Sequence, residues 1–335
     1  MQQMQTVIHG HAIPYTMASI PIGKCRLDPK NPRIQYVIAQ RNPTTLITEA
    51  ELEQLLWKKD SVKALAQAIM QNGGVRDHVI VLTLDDGDFL ILEGNCRATC
   101  LRHLSKEYPN DFRFSHLPAM IFKSLTDEQL AIFLAQIHIS GKIAWDAYEK
   151  AKSVFDLHTK YGKPYEWLAM DLRMSKSQIK HLLESYQMME EFLNKYPTES
   201  IRKFSRFAEA LKKKVLRERL EKDPVFKDTF FEWLKTDKLT DNYHIRELPR
   251  VLVNPSALDA LVKGTFDDAY SIILKSDPAL ESYLFSSIKS AIENLKGASL
   301  TEINELNSDP KKISMLQELY AATQDLASVS KVQLI

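Results

Sequence analysis

A chain of 335 residues is longer than one ordinary domain and implies two or three, at about 100 to 200 residues each. Ten glycines, about 3% against a usual share near 7%, exclude a large turn-rich β-sandwich or barrel, and 44% apolar with 26% charged residues exclude wholesale disorder. The charge is balanced, 44 basic against 43 acidic, so net charge selects no class of partner.

No apolar run reaches the about 18 residues of a membrane helix. The start, Met1-Gln2-Gln3-Met4-Gln5, lacks the basic and apolar segments of a signal peptide. A cytoplasmic location with no membrane contact is expected. The three cysteines, Cys25, Cys96 and Cys100, make no disulfide framework and fit a reducing compartment.

In chain order, residues 20–27 read as a short strand closed by Asp28-Pro29-Lys30-Asn31-Pro32, because two prolines in this spacing suit neither a helix interior nor a central strand. Val62, Leu65, Ala66 and Ile69 fall on one helical face, and Gly73-Gly74 stops that helix. Residues 79–82 and 89–92 flank Asp85-Asp86-Gly87-Asp88 and predict a hairpin. Glu93-Gly94-Asn95 leads into a helix to about Leu104, and residues 117–122 predict a strand. The expected order is β-α-β-β-α-β.

Beyond Ser124 the pattern is helical. Thr126 and Gln129 make a capping box before Leu130, Phe133, Leu134 and Ile137. A helix over residues 145–161 follows, then two helical patterns at 165–172 and 176–186, the spacing of a helix-turn-helix. Ser175 and Gln178 cap the second. Breaks at Asp223-Pro224, Asn254-Pro255, Asp277-Pro278 and Asp309-Pro310 divide the remainder into further helices. The fold class is therefore α+β: a small mixed domain over 1–124, a helix-turn-helix domain over 125–196, and an all-helical domain over 197–335.

Several residues invite chemistry. The turn Glu93-Gly94-Asn95-Cys96-Arg97 follows a strand and opens a helix, so its backbone amides and the helix dipole suit an anion. Arg97 would add a cation and Arg33 could converge on it. The alternative is a plain connection with Glu93 facing water and Arg97 in a surface ion pair. Cys96, Cys100 and His103 share a helical face, for which core packing is expected and no metal is assigned. His138 is either a general acid or base or a structural histidine. Arg173, Lys176, Ser177, Gln178, Lys180 and His181 stand at the start of the second helix of the helix-turn-helix, where such helices meet base edges and phosphates. A helical hairpin without DNA is the alternative. Residues 195–222 carry ten basic against four acidic side chains, Lys212, Lys213 and Lys214 among them. This is read as a flexible run for non-specific phosphate contact.

Asn31-Pro32-Arg33, the helix ending at Gly73-Gly74, the strand pair and Leu92-Glu93-Gly94-Asn95-Cys96-Arg97-Ala98 together resemble the N-terminal domain of ParB-type partition proteins, a fold shared with sulfiredoxin. The stretch from Trp167 to Ile179 is similar to the helix-turn-helix of the same family. The resemblance spans about residues 18 to 190. It implies a sequence-specific duplex DNA-binding protein, a homodimer regulated by CTP, or by ATP, with Mg2+, in partition or regulation of a plasmid, phage or mobile element. It places the nucleotide at Arg33, Gly94, Asn95 and Arg97. Where the family has Gly-Glu-Arg-Arg, this chain has Gly94-Asn95-Cys96-Arg97, and at the second nucleotide motif it has His138-Ile139-Ser140-Gly141-Lys142. Sulfiredoxin's reactive cysteine falls on Asn95, so its reductase chemistry is not expected. Two other readings remain: a nucleotide- or metal-dependent nuclease or kinase with Glu93 as acid or base, and an adaptor whose C-terminal helices recruit a protein partner.

Overall fold

The computed structural model describes residues 3–31, 34, 38, 47–139, 145–276, 282–300, 303, 304, 306 and 309–330. The chain divides into two compact units, Met1–Pro249 and Arg250–Ile335.

The first unit opens with a hairpin of β1 (Gln3–Ile8) and β2 (His11–Pro21), ahead of every strand expected from the sequence. Its tip is His9-Gly10, both at positive φ (51° and 77°), the twist that a two-residue connection needs to match its strands. The strand expected over 20–27 is divided. β2 ends at Pro21, a 3-10 turn takes Ile22–Lys24, and β3 (Cys25–Leu27) resumes in a parallel pairing elsewhere in the sheet. An unforeseen helix, α1 (Glu49–Trp57), starts at a Thr48–Glu51 capping box. α2 (Asp60–Gln71), the hairpin of β4 (Val79–Thr83) and β5 (Phe89–Glu93), α3 (Asn95–Glu107) and β6 (His116–Phe122) follow as the periodicities require.

The sheet has the order β1-β2-β6-β4-β5-β3. β4 lies parallel to β6 and antiparallel to β5, with a bulge at Ile80/Val81 opposite the end of β5. Leu52, Leu56, Val62, Ala66, Ile69, Leu101 and Leu104 from the three helices bury one face against Val79, Val81 and Ile91. The opposite face, with Ile80, Leu92 and Phe122, takes Leu130, Phe133 and Ile137 of α4 (Asp127–Ile139). The sheet is thus covered on both sides.

A second core joins α4 to α5 (Ala147–Thr159), α6 (Tyr165–Asp171) and α7 (Lys176–Lys195) through Ile132, Val154, Leu157, Leu168, Leu172, Ile179 and Leu183. Ile8 of the N-terminal hairpin inserts into it. α7 runs nine residues past the expected end near Tyr186, because Met188, Met189 and Phe192 continue its buried face. α8 (Phe204–Lys212), α9 (Lys214–Lys222) and α10 (Pro224–Lys235) come next, then α11 (Asn242–Val253), within which the first unit ends.

In the second unit α12 (Pro255–Lys263) packs on α13 (Phe266–Ser276), and α14 (Tyr283–Lys296) and α15 (Pro310–Ser330) follow. Asp223 and Asn254 cap helices that have proline at the first position, as their sequences imply. The Asp277-Pro278 break lies outside the described residues. No helix among the described residues is long and apolar enough to cross a membrane.

Candidate ligand cavity and nucleic-acid interface

The strand-to-helix turn is built around Gly94. Its φ is +100°, and a Cβ there would lie 2.4 Å from Val79 Cγ1 and 2.9 Å from Val79 Cβ. Only glycine brings the start of α3 this close to β4. Asn95 is buried and faces inward. Its Oδ1 accepts the Asp28 N–H at 2.8 Å and its Nδ2 donates to the Ile91 carbonyl at 2.9 Å. It therefore ties the proline-bounded loop after β3 to the helix start. Asp28 accepts from Lys30 N–H, and burial raises its carboxyl above the ordinary aspartate range against that hydrogen bond.

Arg97 forms an ion pair nearly buried rather than at the surface, and it also lines the cavity at the start of α3. Its guanidinium pairs with Glu93, both side chains nearly buried (11% and 12% exposed), and donates to the carbonyls of Asp77 (2.7 Å) and His78 (3.1 Å). The pair is thus an interior brace across the turn. The mouth of α3 has no side-chain cap and no acidic residue in its first turn, so the positive end of the helix opens into a cavity of about 310 Å³. Its lining brings Gly94, Asn95, Cys96 and Arg97 together with His138 and Trp145. The two rings stack 4.7 Å apart, and Trp145 N–H donates to the His138 carbonyl.

The structure thus joins His138, singled out separately in the sequence, to the Gly94 turn, and adds Trp145, which sequence reasoning missed. Arg33 and Ser140-Gly141-Lys142 lie outside the described residues. Cys100 is core: its thiol donates to the Val62 carbonyl, and burial pushes it up to about 12. His103 stacks on Trp57 at 3.8 Å. Among the described residues no cluster of three or more His, Cys, Asp or Glu could hold a metal.

A second surface is formed by α6, residues 172–175 and α7. Arg173 takes a left-handed φ of 53°, and Met174 N–H returns to the Ala169 carbonyl, closing the turn in the manner of a helix C-cap. Ser175 and Gln178 then cap α7 reciprocally. The cap occupies the Gln178 side-chain oxygen with Ser175 N–H. Gln136 anchors α6 from below through Asp171. Arg173, Lys176, Ser177, Gln178 and Lys180 are all exposed. Lys176 pairs with Glu166 at 2.7 Å and Lys180 with Glu184 at 3.5 Å. His181, one step further along, is half-buried with Nε2 shut off from solvent.

The basic segment is not a flexible run. Phe204, Phe207, Leu211, Leu216 and Leu220 bury it as α8 and α9, and much of its charge is used within the fold. Lys203 meets Glu199, Asp237 and the Leu234 carbonyl. Arg206 donates to the carbonyls of Arg202 and Thr240. Lys195 pairs with Asp228, and Arg219 lies over Phe226. What reaches α7 is the α8–α9 junction: the charges of Lys212 and Arg217 bear on His181 and, after its burial, lower its pKa. Lys213 is the residue between the two helices and Lys214 begins α9.

No family model and no curated protein matches the chain. Among solved structures it is similar to the C-terminally truncated chromosome-partitioning protein ParB from Caulobacter crescentus. The complex with the centromeric parS site shares 15% identity at a TM-score of 0.32, covering 63% of this chain and 96% of that one. The complex with CTP-gamma-S shares 14% at 0.23, covering 58% and 92%.

Proposed function

We propose that the chain is a duplex DNA-binding protein of the ParB kind. In this reading α6 and α7 are its helix-turn-helix, α7 is the helix that meets the groove, and the cavity at the start of α3 is a nucleotide site. One observation carries the DNA reading: Arg173 in the turn and Lys176, Ser177 and Lys180 at the start of α7 are exposed together, and the charges of Lys212 and Arg217, some thirty residues later, bear on His181 of that same helix. Base-edge readers and phosphate binders on one surface are what duplex recognition asks for. The nucleotide reading is supported by the uncapped positive end of α3 and by the Trp145 ring in the same cavity, which suit a phosphate and a base respectively. CTP is the first nucleotide to test, ATP with Mg2+ the second. Residues 1–124, with His138 and Trp145 from the next segment, would hold the nucleotide, 125–196 would read DNA, and 197–335 would support a homodimer or a protein partner, in partition or regulation of a plasmid, phage or mobile element.

The test is titration of fluorescent duplexes at several salt concentrations. Changing Lys176 and Lys180 to glutamine should remove site preference, whereas changing Lys212, Lys213 and Lys214 should weaken all duplexes alike. Each lost phosphate contact should flatten the slope of log affinity against log salt by about 0.9. A wild-type protein that binds no duplex at low salt ends the proposal. Calorimetry with CTP and ATP tests the cavity separately.

A further inference from the structure

Lys163 lies in the connection between α5 and α6, one residue before Pro164 at the N-cap of α6. A lysine in such a connection ordinarily extends into water. This one folds inward and is 9% exposed. Its Nζ stands 2.6 Å from Glu128 Oε1 in the first turn of α4, 3.0 Å from His9 Nε2 at the tip of the β1–β2 hairpin, and 5.1 Å from the centre of the Trp167 ring in α6. An ammonium only donates, so His9 Nε2 accepts. The His9 ring also meets the Trp167 ring edge-on at 5.2 Å.

α6 depends on contacts of this kind. It has seven residues and no side-chain cap at its start, well under the roughly 12 to 15 residues that make an isolated helix even marginal in water. Its far end is tied to α4 by Gln136, whose Nε2 donates to Asp171 Oδ1 at 3.0 Å. Glu128 and Gln136 stand about 12 Å apart along α4, close to the length of α6. The helix is therefore mounted on α4 at both ends. At the Lys163 end the hairpin tip joins the mount, with Ile8 buried in the same core as Leu168 and Leu172.

We propose that Lys163 is a positioning residue for DNA recognition: by joining Glu128, His9 and Trp167 it fixes the start of α6, and so the angle at which α6 and the turn after it present α7 to a duplex. The inference rests on the DNA-binding reading. Lys163 itself is too enclosed to meet a phosphate, with 11% of its side chain exposed, so its loss acts on which duplex is preferred and not on the number of phosphate contacts.

The experiment selects a preferred duplex from a random pool with the wild-type chain. Fluorescence anisotropy over a range of salt then gives the affinity of wild type and of Lys163→Met for that duplex and for one of scrambled sequence. Methionine keeps the length of the side chain and its contact with Trp167 but carries no charge. Lys163→Met should bind the preferred duplex about tenfold more weakly, the scale of one misread base pair. It should bind the scrambled duplex as wild type does, with the same slope of log affinity against log salt. A site preference equal to that of wild type, with or without a lower melting midpoint, makes Lys163 merely structural and overturns the proposal. Weaker binding to both duplexes alike, with a slope flattened by about 0.9, makes it a phosphate contact and also overturns the proposal. If Lys163→Met does not fold, Glu128→Gln loosens the same mount from a more exposed position, and the same ratio decides. Each of these outcomes leaves the DNA reading intact. Wild type that binds no duplex, or every duplex alike, removes the site-specific DNA reading and the role of Lys163 with it.

Discussion

Replacing Gly94 by alanine tests the account of the cavity wall. A residue with a Cβ at φ +100° carries a conformational cost of about 1 to 2 kcal/mol. The new methyl would also stand 2.4 Å from Val79 Cγ1, more than 1 Å inside the roughly 3.5 to 4.0 Å of an ordinary carbon contact. Val79 cannot retreat, because it is fully buried in β4 and paired with Ala119 of β6. Overpacking of this kind costs about 1 to 3 kcal/mol. The sum, about 2 to 5 kcal/mol, is a large part of the roughly 5 to 15 kcal/mol that holds a domain folded. Urea unfolding should show it as a lower midpoint at unchanged slope. Removing the two Val79 methyls costs something alone, about 0.8 kcal/mol per buried carbon. In the Gly94→Ala/Val79→Ala double variant it should return part of the steric cost and none of the backbone cost, so the double variant falls short of the summed singles by about 1 to 3 kcal/mol. A Gly94→Ala loss below about 1 kcal/mol, or strict additivity with Val79→Ala, would refute the close approach of α3 to β4.

Arg97→Ala should destabilise by about 3 to 5 kcal/mol, since it strands the nearly buried Glu93 carboxylate and two carbonyls. Adding Glu93→Gln should recover part of that in urea melts, and a single-variant loss no larger than that of an exposed pair would contradict the interior brace. Ser175→Ala should cost about 1 kcal/mol and speed amide exchange in the first turn of α7, with unchanged exchange counting against the cap. Asp28→Asn should match wild type in acid and exceed it at pH 7. A carboxyl whose folded pKa is raised by burial favours folding while protonated and loses that support as pH rises from its unfolded toward its folded value. An Asn variant less stable than wild type at pH 7 would refute this.

The elements with a strong period were legible. The α2 face, the β4–β5 hairpin and the capping boxes at Thr126 and Ser175 fall where the sequence puts them. The N-terminal hairpin was missed because β1 is an edge strand of Gln, Met and Thr with little burial to imprint a pattern, and because Pro14 and Pro21 argue against β2. His9-Gly10 was its one readable signal. The Thr48–Glu51 box announces α1 in the same way. At the site, the need for Gly94 and an inward Asn95 follows from a strand-to-helix turn, but the approach of His138 does not. His138 arrives because α4 crosses the far face of the sheet on Leu130, Phe133 and Ile137 and meets Leu92 there. No local periodicity contains that crossing.

Charge shows the same limit in a sharper form. An excess of six positive charges over residues 195–222 says how much attraction is available, not where it is directed. Folding the segment divides it. Lys203 and Arg206 sit among carbonyls and carboxylates that hold the helices together, so their removal would act on stability. The charges of Lys212 and Arg217 bear on His181, so their removal acts on the electrostatics of α7. A charge count therefore predicts salt dependence only after the internally committed cations are set aside. The same holds for α7 itself, where Lys176 and Lys180 are each met by a glutamate. Any polyanion must compete with those carboxylates. For an exposed ion pair the competition is cheap, because water already screens it. Phosphate contact at this surface is thus an exchange of partners, and its affinity depends on what becomes of the glutamates left behind.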